Sequence, residues 1–376
     1  AFVRRLKSFI EIGAFPKETL KHALEFTPVD LCADAIIKIL EYSSPCNVFH
    51  IYNPNLMPAP LLYNTLLDRG FEIIPVTDEL MSYIITGILE DNKKKGLGMV
   101  LEGGGMRGLY TAGVLDELME QGIYADSTVG VSAGAIFGCN YKSRQIGRTL
   151  RYNTRFCKDK RYMGLKSWIT TGDLYSKDFA YGEVPWKLDV FDTETFARSP
   201  MKFTVVCTDI ETGKPCYQEC RMGDRLDVEW MRASASLPLA ARPVKLNGRM
   251  YLDGGISDPI PVNWMLSQGY EKNVVVCTRH SGYRKEHNKL MPLLRLKFRE
   301  YPELVKLLDE RHIQYNRMLD KIAYLEKEGR IHVIRPDRDI SAKPVERDPA
   351  HLKEIYEVGR RVMKADMEKL KAYLAE

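Results

Sequence analysis

Two stretches of this sequence run from an apolar strand through a glycine-rich turn into a helix, and they constrain the fold more than any other feature. Residues 99–105 (Met-Val-Leu-Glu-Gly-Gly-Gly) precede a segment in which Val114 and Leu118 recur at helical spacing. Residues 127–134 (Ser-Thr-Val-Gly-Val-Ser-Ala-Gly) repeat the strand-to-turn pattern, and another helix follows. Apolar strands that alternate with helices predict a largely parallel sheet covered by helices on both faces.

The rest of the chain extends this α/β pattern. Further apolar strands are predicted at residues 202–209, 249–255, 272–278 and 331–335. A helix is predicted at 261–269, and the region after residue 290 is mostly helical and charged. We therefore expect an α/β unit that ends in helices.

The first 95 residues form a separate α/β segment. Helices are predicted at residues 29–42 and 60–70, and strands at 46–52 and 71–76. Residues 89–98 combine a run of charges with two glycines, which is typical of a linker. The sequence thus predicts two domains, 1–95 and 96–376.

Charge and cysteine usage exclude some partners and cofactors. The net charge is +5, with 55 Lys and Arg against 50 Asp and Glu, so nucleic acid is not expected as a partner. The eight cysteines form no C-x-x-C pair and no metal-ligand spacing, so we expect no metal, no cofactor and reduced thiols in a cytoplasmic protein. No signal peptide and no apolar run of about 18 residues is visible. The chain begins as if in mid-domain, so we expect its true start upstream.

The G-x-S-x-G pattern at residues 130–134 is the sharpest chemical signal. It lies between a predicted strand and a predicted helix, which is the context of a nucleophile elbow. Gly130 and Gly134 would permit the tight turn that lifts Ser132 above the sheet. A turn of small residues without chemistry is the alternative interpretation.

A second glycine turn precedes the elbow. Residues 103–108 read Gly-Gly-Gly-Met-Arg-Gly and match G-x-G-x-x-G, the pattern of a dinucleotide loop, for which Asp126 would be the acidic residue on the ribose. The alternative is that the backbone N–H groups of the loop bind the oxyanion formed when Ser132 attacks a carbonyl. Arg107 then indicates an anion or a contact that orders the loop, unless it is a solvated surface arginine.

Asp253 supplies a possible third element. It follows a predicted strand and precedes Gly254 and Gly255. Ligands in open α/β sheets gather at the carboxyl ends of strands, where Gly103, Ser132 and Asp253 are all predicted. Alone, an Asp-Gly turn would be the simpler interpretation.

Together these three motifs resemble the patatin-like phospholipase family, whose pattern is G-G-G-x-[RK]-G, then G-x-S-x-G, then D-G-[AG]. The resemblance covers about residues 97–376. It implies a three-layer α/β/α fold with a mostly parallel central sheet, and a Ser-Asp dyad that hydrolyses acyl esters of lipids. By position, Ser132 would be the nucleophile and Asp253 the base. The oxyanion hole would be formed by Gly103, Gly104, Gly105, Met106, Arg107 and Gly108.

An aspartate has an ordinary pKa of about 3.9, so the dyad requires that burial make Asp253 a stronger base. Three alternatives to the dyad stay open. A Ser-Asp-His esterase or thioesterase of α/β-hydrolase type would use His280 instead. A nucleotide-binding oxidoreductase would use the glycine loop, and a scaffold without catalysis would retain only the fold.

The expected partner is a phospholipid or another acyl-ester lipid. The aromatic residues between 160 and 191 suit either a cap over an acyl groove or ordinary packing. Basic residues between 279 and 299 either meet anionic headgroups or form a solvated face. Peripheral contact with a membrane surface is therefore left as an option.

Residues 1–95 resemble the C-terminal tail of extended short-chain dehydrogenases, particularly the thioester-reductase domains of peptide synthetases. The segments 26–40 and 47–55 carry this resemblance. The nucleotide-binding glycine loop and the Tyr-x-x-x-Lys pair of that family are absent from the segment, so it implies no reductase activity.

Overall fold

The structure is a computed structural model that describes residues 14–16, 23–25, 56–58, 64, 74–76, 95–343 and 345–375. Contacts divide the chain into two compact units, Ala1–Lys93 and Lys94–Glu376. The domain boundary expected after residue 95 stays a prediction.

The first unit contains four short strands among its described residues. Strand β1 (Ala14–Pro16) pairs in parallel with β4 (Ile74–Val76), and β2 (Ala23–Glu25) pairs antiparallel with β3 (Leu56–Pro58). The strand predicted at 71–76 is confirmed for the part that forms β4. The predicted helix 29–42 and strand 46–52 lie outside the described residues, as does the predicted helix 60–70 except for Asn64, which is helical.

The second unit is built on an eight-stranded sheet with the order β12-β11-β5-β6-β7-β10-β9, in which β8 also pairs with β7. Strands β12, β11, β5, β6 and β7 are mutually parallel, whereas β8, β9 and β10 are antiparallel to their neighbours. The strands are β5 (Lys95–Leu101), β6 (Ser127–Val131), β7 (Lys202–Asp209), β8 (Pro215–Cys220), β9 (Val244–Leu246), β10 (Arg249–Asp253), β11 (Tyr270–Val276) and β12 (His332–Ile334). The mostly parallel sheet predicted from the sequence is confirmed.

Ten α-helices are described in the second unit. They are α1 (Gly108–Glu120), α2 (Ala133–Lys142), α3 (Arg148–Phe156), α4 (Leu165–Thr171), α5 (Thr193–Arg198), α6 (Arg225–Ser234), α7 (Val262–Ser267), α8 (Met291–Lys297), α9 (Pro302–Lys327) and α10 (Pro349–Ala375). A π-helix spans Lys177–Leu188, and single 3₁₀ turns span Gly105–Arg107 and Gly254–Ile256. The helices predicted after residues 105 and 132 and at 261–269 are confirmed.

The sheet has a hydrophobic core on each face. Because side chains alternate along a strand, Met99 and Leu101 of β5 enter one core, with α1, α2 and α10, while Val100 enters the other, with α7 and α9. Helices on both faces of the sheet make the second unit a three-layer α/β/α structure. The fold class expected from the motifs is confirmed.

Strand β5 corrects the predicted linker. Residues 95–98, which were predicted to belong to a linker, lie in β5, where Lys95, Leu97 and Gly98 pair with β11 and Gly98 also pairs with β6. The Leu97 N–H donates to the Asp126 carboxylate at 2.7 Å, and an added Cβ on Gly98 would lie 2.7 Å from the Met265 sulfur. Gly96 and Gly98 allow close packing inside the sheet. In the sequence alone, glycines that pack inside a strand cannot be distinguished from glycines in a linker.

Among the residues that the structure describes, no helix combines the length and the apolar character needed to cross a bilayer.

Candidate active site

Ser132 lies at a strained turn between β6 and α2. Its backbone has φ 55° and ψ −119°, which is unusual for a residue with a side chain. Its N–H donates to the Ser234 hydroxyl at 3.0 Å, and that hydroxyl donates to the Val206 carbonyl at 2.6 Å. A strained serine between a strand and a helix is the geometry of a nucleophile elbow. Ser234 holds the turn, and sequence analysis assigned it no role.

Strand register brings Asp253 beside this turn. Val131 of β6 aligns with Val206 of β7, and Cys207 aligns with Asp253 of β10. Because β10 runs antiparallel to β7, Asp253 does not follow the carboxyl end of a parallel strand, as was predicted. Only the glycine loop after β5 and Ser132 after β6 lie at such ends.

The Asp253 carboxyl is almost wholly buried, with 1% exposure. Oδ1 accepts from the Gly255 N–H at 2.7 Å, while Oδ2 is buried and accepts no hydrogen bond of acceptable geometry from the described residues. Burial raises the pKa of Asp253 above its ordinary value, and the Ser132 hydroxyl, the Arg311 charge and the Gly255 N–H each oppose that rise. The two side chains therefore interact, and one carboxylate oxygen has free acceptor capacity.

The glycine loop lies against the elbow. An added Cβ on Gly103 would lie 3.0 Å from the Ser132 Cβ, and one on Gly104 would lie 2.7 Å from the Thr278 hydroxyl. Gly105 has φ +57°, a conformation that side chains disfavour. The N–H groups of these three glycines donate no hydrogen bond to any residue of the described chain. Free donors beside a nucleophile can bind an anionic oxygen.

The remaining predicted loop residues have different environments. Met106 is buried, and Gly108 begins α1 so close to α2 that an added Cβ would lie 2.7 Å from the Ala133 Cβ. The Arg107 side chain lines the cavity, and its Nε is buried without a hydrogen-bond partner among the described residues. Of these three, only Arg107 places a charged group in the site.

The glycines that flank Ser132 and Asp253 permit close backbone approach. An added Cβ on Gly130 would lie 2.5 Å from the Gly134 carbonyl oxygen across the turn, and one on Gly254 would overlap the Val206 carbonyl. The Gly255 N–H holds Asp253, and the Gly255 carbonyl accepts from Arg311 Nε at 2.6 Å. All four predicted supporting glycines lie at the site.

Glu102 is a site residue that sequence analysis missed. It is 2% exposed, and Oε2 accepts from the Thr278 N–H at 2.6 Å while Oε1 accepts from the Tyr315 hydroxyl. Thr278 in turn donates to the Gly103 carbonyl at 3.1 Å. Burial raises the pKa of Glu102, against the hydrogen bonds of Tyr315 and Thr278. This network fixes the glycine loop to β11 and α9, and no motif marks it because its members are far apart in sequence.

Ser132, Asp253 and the loop open into a cavity of about 380 Å³. One part of its wall is apolar and aromatic, and another part is basic. The apolar part comprises Ile136, Phe137, Tyr152, Tyr162, Tyr175, Tyr181, Val184 and Phe191. The cations in the wall are Arg107, Arg148, Arg232, Arg279, Lys285, Arg311 and Lys343. The cavity therefore matches an amphiphilic molecule better than a wholly polar one.

The two interpretations of the aromatic segment are both partly right. Tyr162, Tyr175, Tyr181 and Phe191 line the cavity, whereas Phe179 is buried beside Phe156, with ring centroids 5.5 Å apart. The aromatic segment therefore contributes some side chains to the hydrophobic core and others to the cavity wall.

Two residues considered for other chemistries lie away from the site. His280 does not line the cavity, and its Nδ1 accepts from the Gly282 N–H at 3.2 Å. Asp126 lies just before the N-terminal end of β6, whereas the glycine loop follows the C-terminal end of β5, so the two lie at opposite ends of these parallel strands. The Asp126 carboxylate accepts a hydrogen bond from the Leu97 N–H. The ribose role considered for Asp126 is therefore wrong, because a ligand in the loop could not reach it. In the described part of the chain no three His, Cys, Asp or Glu side chains cluster as metal ligands.

Comparison with known proteins supports the motif assignment. The model of the patatin-like phospholipase family matches residues 99–265, and a domain of unknown function (DUF6363) matches residues 301–375. The chain is 33% identical to YjjU of Escherichia coli (strain K12) over 48% of this chain and 52% of that protein. It is 25% identical to the lysophospholipase NTE1 of Meyerozyma guilliermondii over 70% of this chain and 18% of that protein. Among solved structures, VipD from Legionella pneumophila matches with a TM-score of 0.34 and 12% identity, over 72% of this chain and 67% of that one.

The matches therefore span about half of the bacterial relative and under a fifth of the yeast protein. The family match covers all three motifs, including Ser132 and Asp253, with the loop that precedes them. The strained serine, the buried aspartate and the free glycine N–H groups lie within it. Residues 99–265 of this chain thus form a patatin-like phospholipase domain.

Proposed function

We propose that the chain is a lipid acyl hydrolase that cleaves carboxylic esters through Ser132 and Asp253. The observation that carries the proposal is the strained Ser132 beside a buried Asp253 whose Oδ2 accepts no hydrogen bond from the described residues, at the wall of a largely apolar cavity. The free N–H groups of Gly103, Gly104 and Gly105 complete the arrangement. An acyl-transfer site needs these parts: a nucleophile, a base and donors for the oxyanion.

The reaction has two steps. Ser132 Oγ attacks the ester carbonyl, Asp253 accepts the hydroxyl proton, and the glycine N–H groups bind the oxyanion. Collapse of the tetrahedral intermediate breaks the bond to the alcohol, which takes the proton from Asp253 and leaves an acyl-enzyme. Water then attacks the acyl-enzyme, Asp253 accepts its proton, and return of that proton to Ser132 releases the carboxylic acid.

Burial adapts Asp253 to this role. A carboxylate that has lost its hydration is a stronger base, and an acyl chain in the cavity would exclude more water. Arg311 opposes the rise in the pKa of Asp253, so the carboxyl can still ionise. A dyad without histidine is thus chemically reasonable in this environment.

The substrate we propose is a phospholipid or lysophospholipid. The aromatic wall suits an acyl chain, and the name of the yeast relatives indicates activity on single-chain phospholipids in those proteins. A cavity of about 380 Å³ has the size typical of sites that enclose one small ligand. We therefore expect single-chain substrates to be cleaved faster than double-chain ones.

We also propose peripheral contact with a lipid surface. Helix α4 exposes Leu165 and Ile169 by 65% and 69%, and the Trp168 indole donates to the Leu239 carbonyl at 2.7 Å. Residues near α4 and Leu239 line the cavity, namely 173–175 after α4 and Leu237, Ala240 and Ala241 around Leu239. Exposed apolar side chains at a cavity entrance are typical of proteins that draw lipid from an interface.

A serine-directed fluorophosphonate and a substrate panel test the proposed activity. We expect the probe to label the full chain at Ser132 and not a Ser132→Ala variant. The panel then compares the hydrolysis rates of lysophospholipids, phospholipids, acylglycerols and acyl thioesters of one chain length. Absence of labelling together with absence of hydrolysis across the panel would refute the proposal.

A further inference from the structure

The cations that line the cavity divide into paired and unpaired groups. Arg148 forms an ion pair with the buried Asp189, Arg232 pairs with Glu229 at 2.7 Å, and Arg279 pairs with Asp339 at 2.9 Å. The exposed Lys343 faces solvent. Arg107, Lys285 and Arg311 remain, each half-buried and without a carboxylate partner among the described residues.

Each of these three cations has only weak or backbone contacts. Lys285 Nζ lies over the Tyr315 ring at 5.2 Å, and Arg311 Nε donates to the Gly255 carbonyl. Arg107 Nε is buried without a hydrogen-bond partner in the described chain. Half-buried cations usually have a counter-charge, so this arrangement leaves capacity for an anion.

The charges around these three cations also favour the binding of an anion. Burial lowers the pKa of Lys285 to about 8, and repulsion from Arg311 and Arg107 adds to the effect. The acidic groups that act on the cluster are Glu102 and Asp253, and burial raises the pKa of both. Both Glu102 oxygens already accept hydrogen bonds, from the Thr278 N–H and the Tyr315 hydroxyl. An anion would relieve the mutual repulsion of the cations.

We infer that Lys285 and Arg311, together with Arg107, form a subsite for the phosphate of a phospholipid headgroup. This inference rests on the proposed ester hydrolysis, because it places the phosphate beside the scissile bond. Arg107 follows the glycine loop, and Arg311 contacts Gly255, two residues after Asp253. In a glycerophospholipid only the short glycerol backbone separates the phosphate from the ester. Lys285 and Arg311 lie outside the family match, and Arg311 belongs to the segment that matches DUF6363.

A matched pair of substrates tests the subsite in the full chain. The kcat/KM for a lysophosphatidylcholine is divided by that for a monoacylglycerol of the same chain length. We expect Lys285→Met to lower this ratio about tenfold or more, the scale of one charge-assisted hydrogen bond. The control is Lys289→Met, an exposed lysine outside the cavity wall. Lys285→Arg should retain the ratio, and equal ratios for Lys285→Met and the control would overturn the subsite.

Binding to the inactive chain separates this inference from the proposed activity. In the Ser132→Ala background, calorimetry compares glycerol 3-phosphate with inorganic phosphate, with and without Lys285→Met. We expect glycerol 3-phosphate to bind more tightly, and Lys285→Met to weaken it about tenfold. Equal affinity for inorganic phosphate would mean a free-anion site and overturn the headgroup assignment. If this binding depends on Lys285 but the chain with Ser132 intact hydrolyses no substrate of the panel, the anion subsite would be upheld and the hydrolase refuted.

Discussion

Residues 99–265 and residues 301–375 contribute to the same cavity in different ways. The first segment carries the three motifs and holds the glycine loop, Ser132 and Asp253 at the ends of β5, β6 and β10, with β7 between β6 and β10. The second segment carries no catalytic motif, yet α9 places Arg311 and Tyr315 in the cavity wall. The first segment thus places Ser132, Asp253 and the glycine loop in the cavity wall, while the second segment adds Arg311 and Tyr315 beside them.

Residues 301–375 also pack into the same hydrophobic core as residues 99–265. Helix α10 packs on α1 so closely that an added Cβ on Gly113 or Gly359 would overlap the backbone of the opposite helix. Asp116 of α1 accepts from the Tyr356 hydroxyl at 2.8 Å, and Arg360 pairs with Glu117 at 2.9 Å. The family match therefore ends within a folded unit, and the helices beyond it complete that unit.

Loss of the nucleophile should produce the largest effect. We expect Ser132→Ala to reduce ester hydrolysis by about a million-fold, because the attacking oxygen is removed. The measurement is turnover of the best substrate of the panel, with thermal unfolding to show that the fold persists. Ser281→Ala, at an exposed serine, is the control. Hydrolysis by a folded Ser132→Ala variant would place the nucleophile elsewhere.

Loss of the base should be nearly as damaging. We expect Asp253→Asn to reduce turnover by about ten-thousand-fold, because an amide cannot accept the serine proton. His280→Ala should have a small effect, since His280 does not line the cavity. Folded, inactive His280→Ala would instead support a Ser-Asp-His triad.

The pH profile sharpens the assignment of the base. Only the ionised carboxylate accepts a proton, so kcat/KM should rise with pH through the pKa of Asp253. Because burial raises that pKa, the midpoint should lie above the ordinary value of about 3.9.

Side chains in the glycine loop should have an intermediate effect. Gly104→Ala would press against Thr278, and Gly105→Val would strain a backbone at φ +57°. Either change should displace the N–H donors and lower kcat by about 100- to 1000-fold. Gly282→Ala, where an added Cβ meets only ordinary contacts, is the control. Full turnover in Gly105→Val would place the oxyanion donors elsewhere.

A change in the second segment should have a smaller but measurable effect. Tyr315→Phe removes the hydroxyl that donates to Glu102 and should lower the free energy of unfolding by about 1–3 kcal/mol. We expect turnover to fall modestly, since Glu102 also holds Thr278 and through it the loop. Tyr324→Phe, at an exposed position of α9, is the control. If both variants unfold and react alike, α9 does not support the loop.

Removal of the first unit should have the smallest effect. Because β5 begins at Lys95, the truncated chain must retain residues 94–376. We expect its melting temperature to match that of the full chain and its esterase rate to stay within about twofold, since the motifs and their supports all lie after residue 94. An insoluble or inactive truncation would show that residues 1–93 belong to the catalytic unit.

Much of the site could be predicted because its chemistry lies in short local patterns. The turn at Ser132 and the loop at residues 103–108 each need glycines at fixed spacing, so they are visible in sequence. The linker predicted at residues 89–98 was wrong for residues 95–98, because Gly96 and Gly98 permit close packing within a strand as readily as flexibility. Asp253 was located correctly, but its antiparallel strand could not be deduced from a run of apolar residues.

The sequence by itself determined the α/β class, the nucleophile elbow and the order of the motifs, because strand periodicity and glycine turns are local properties. Only the tertiary structure decided which distant groups surround them. Glu102 and Tyr315 are 213 positions apart, and Arg311 reaches Gly255 across 56 positions. Such contacts depend on strand register and helix packing, which bring together residues that no spacing rule relates. The motifs are therefore encoded in local sequence, whereas the charge and shape of the cavity arise from the packing of the whole second unit.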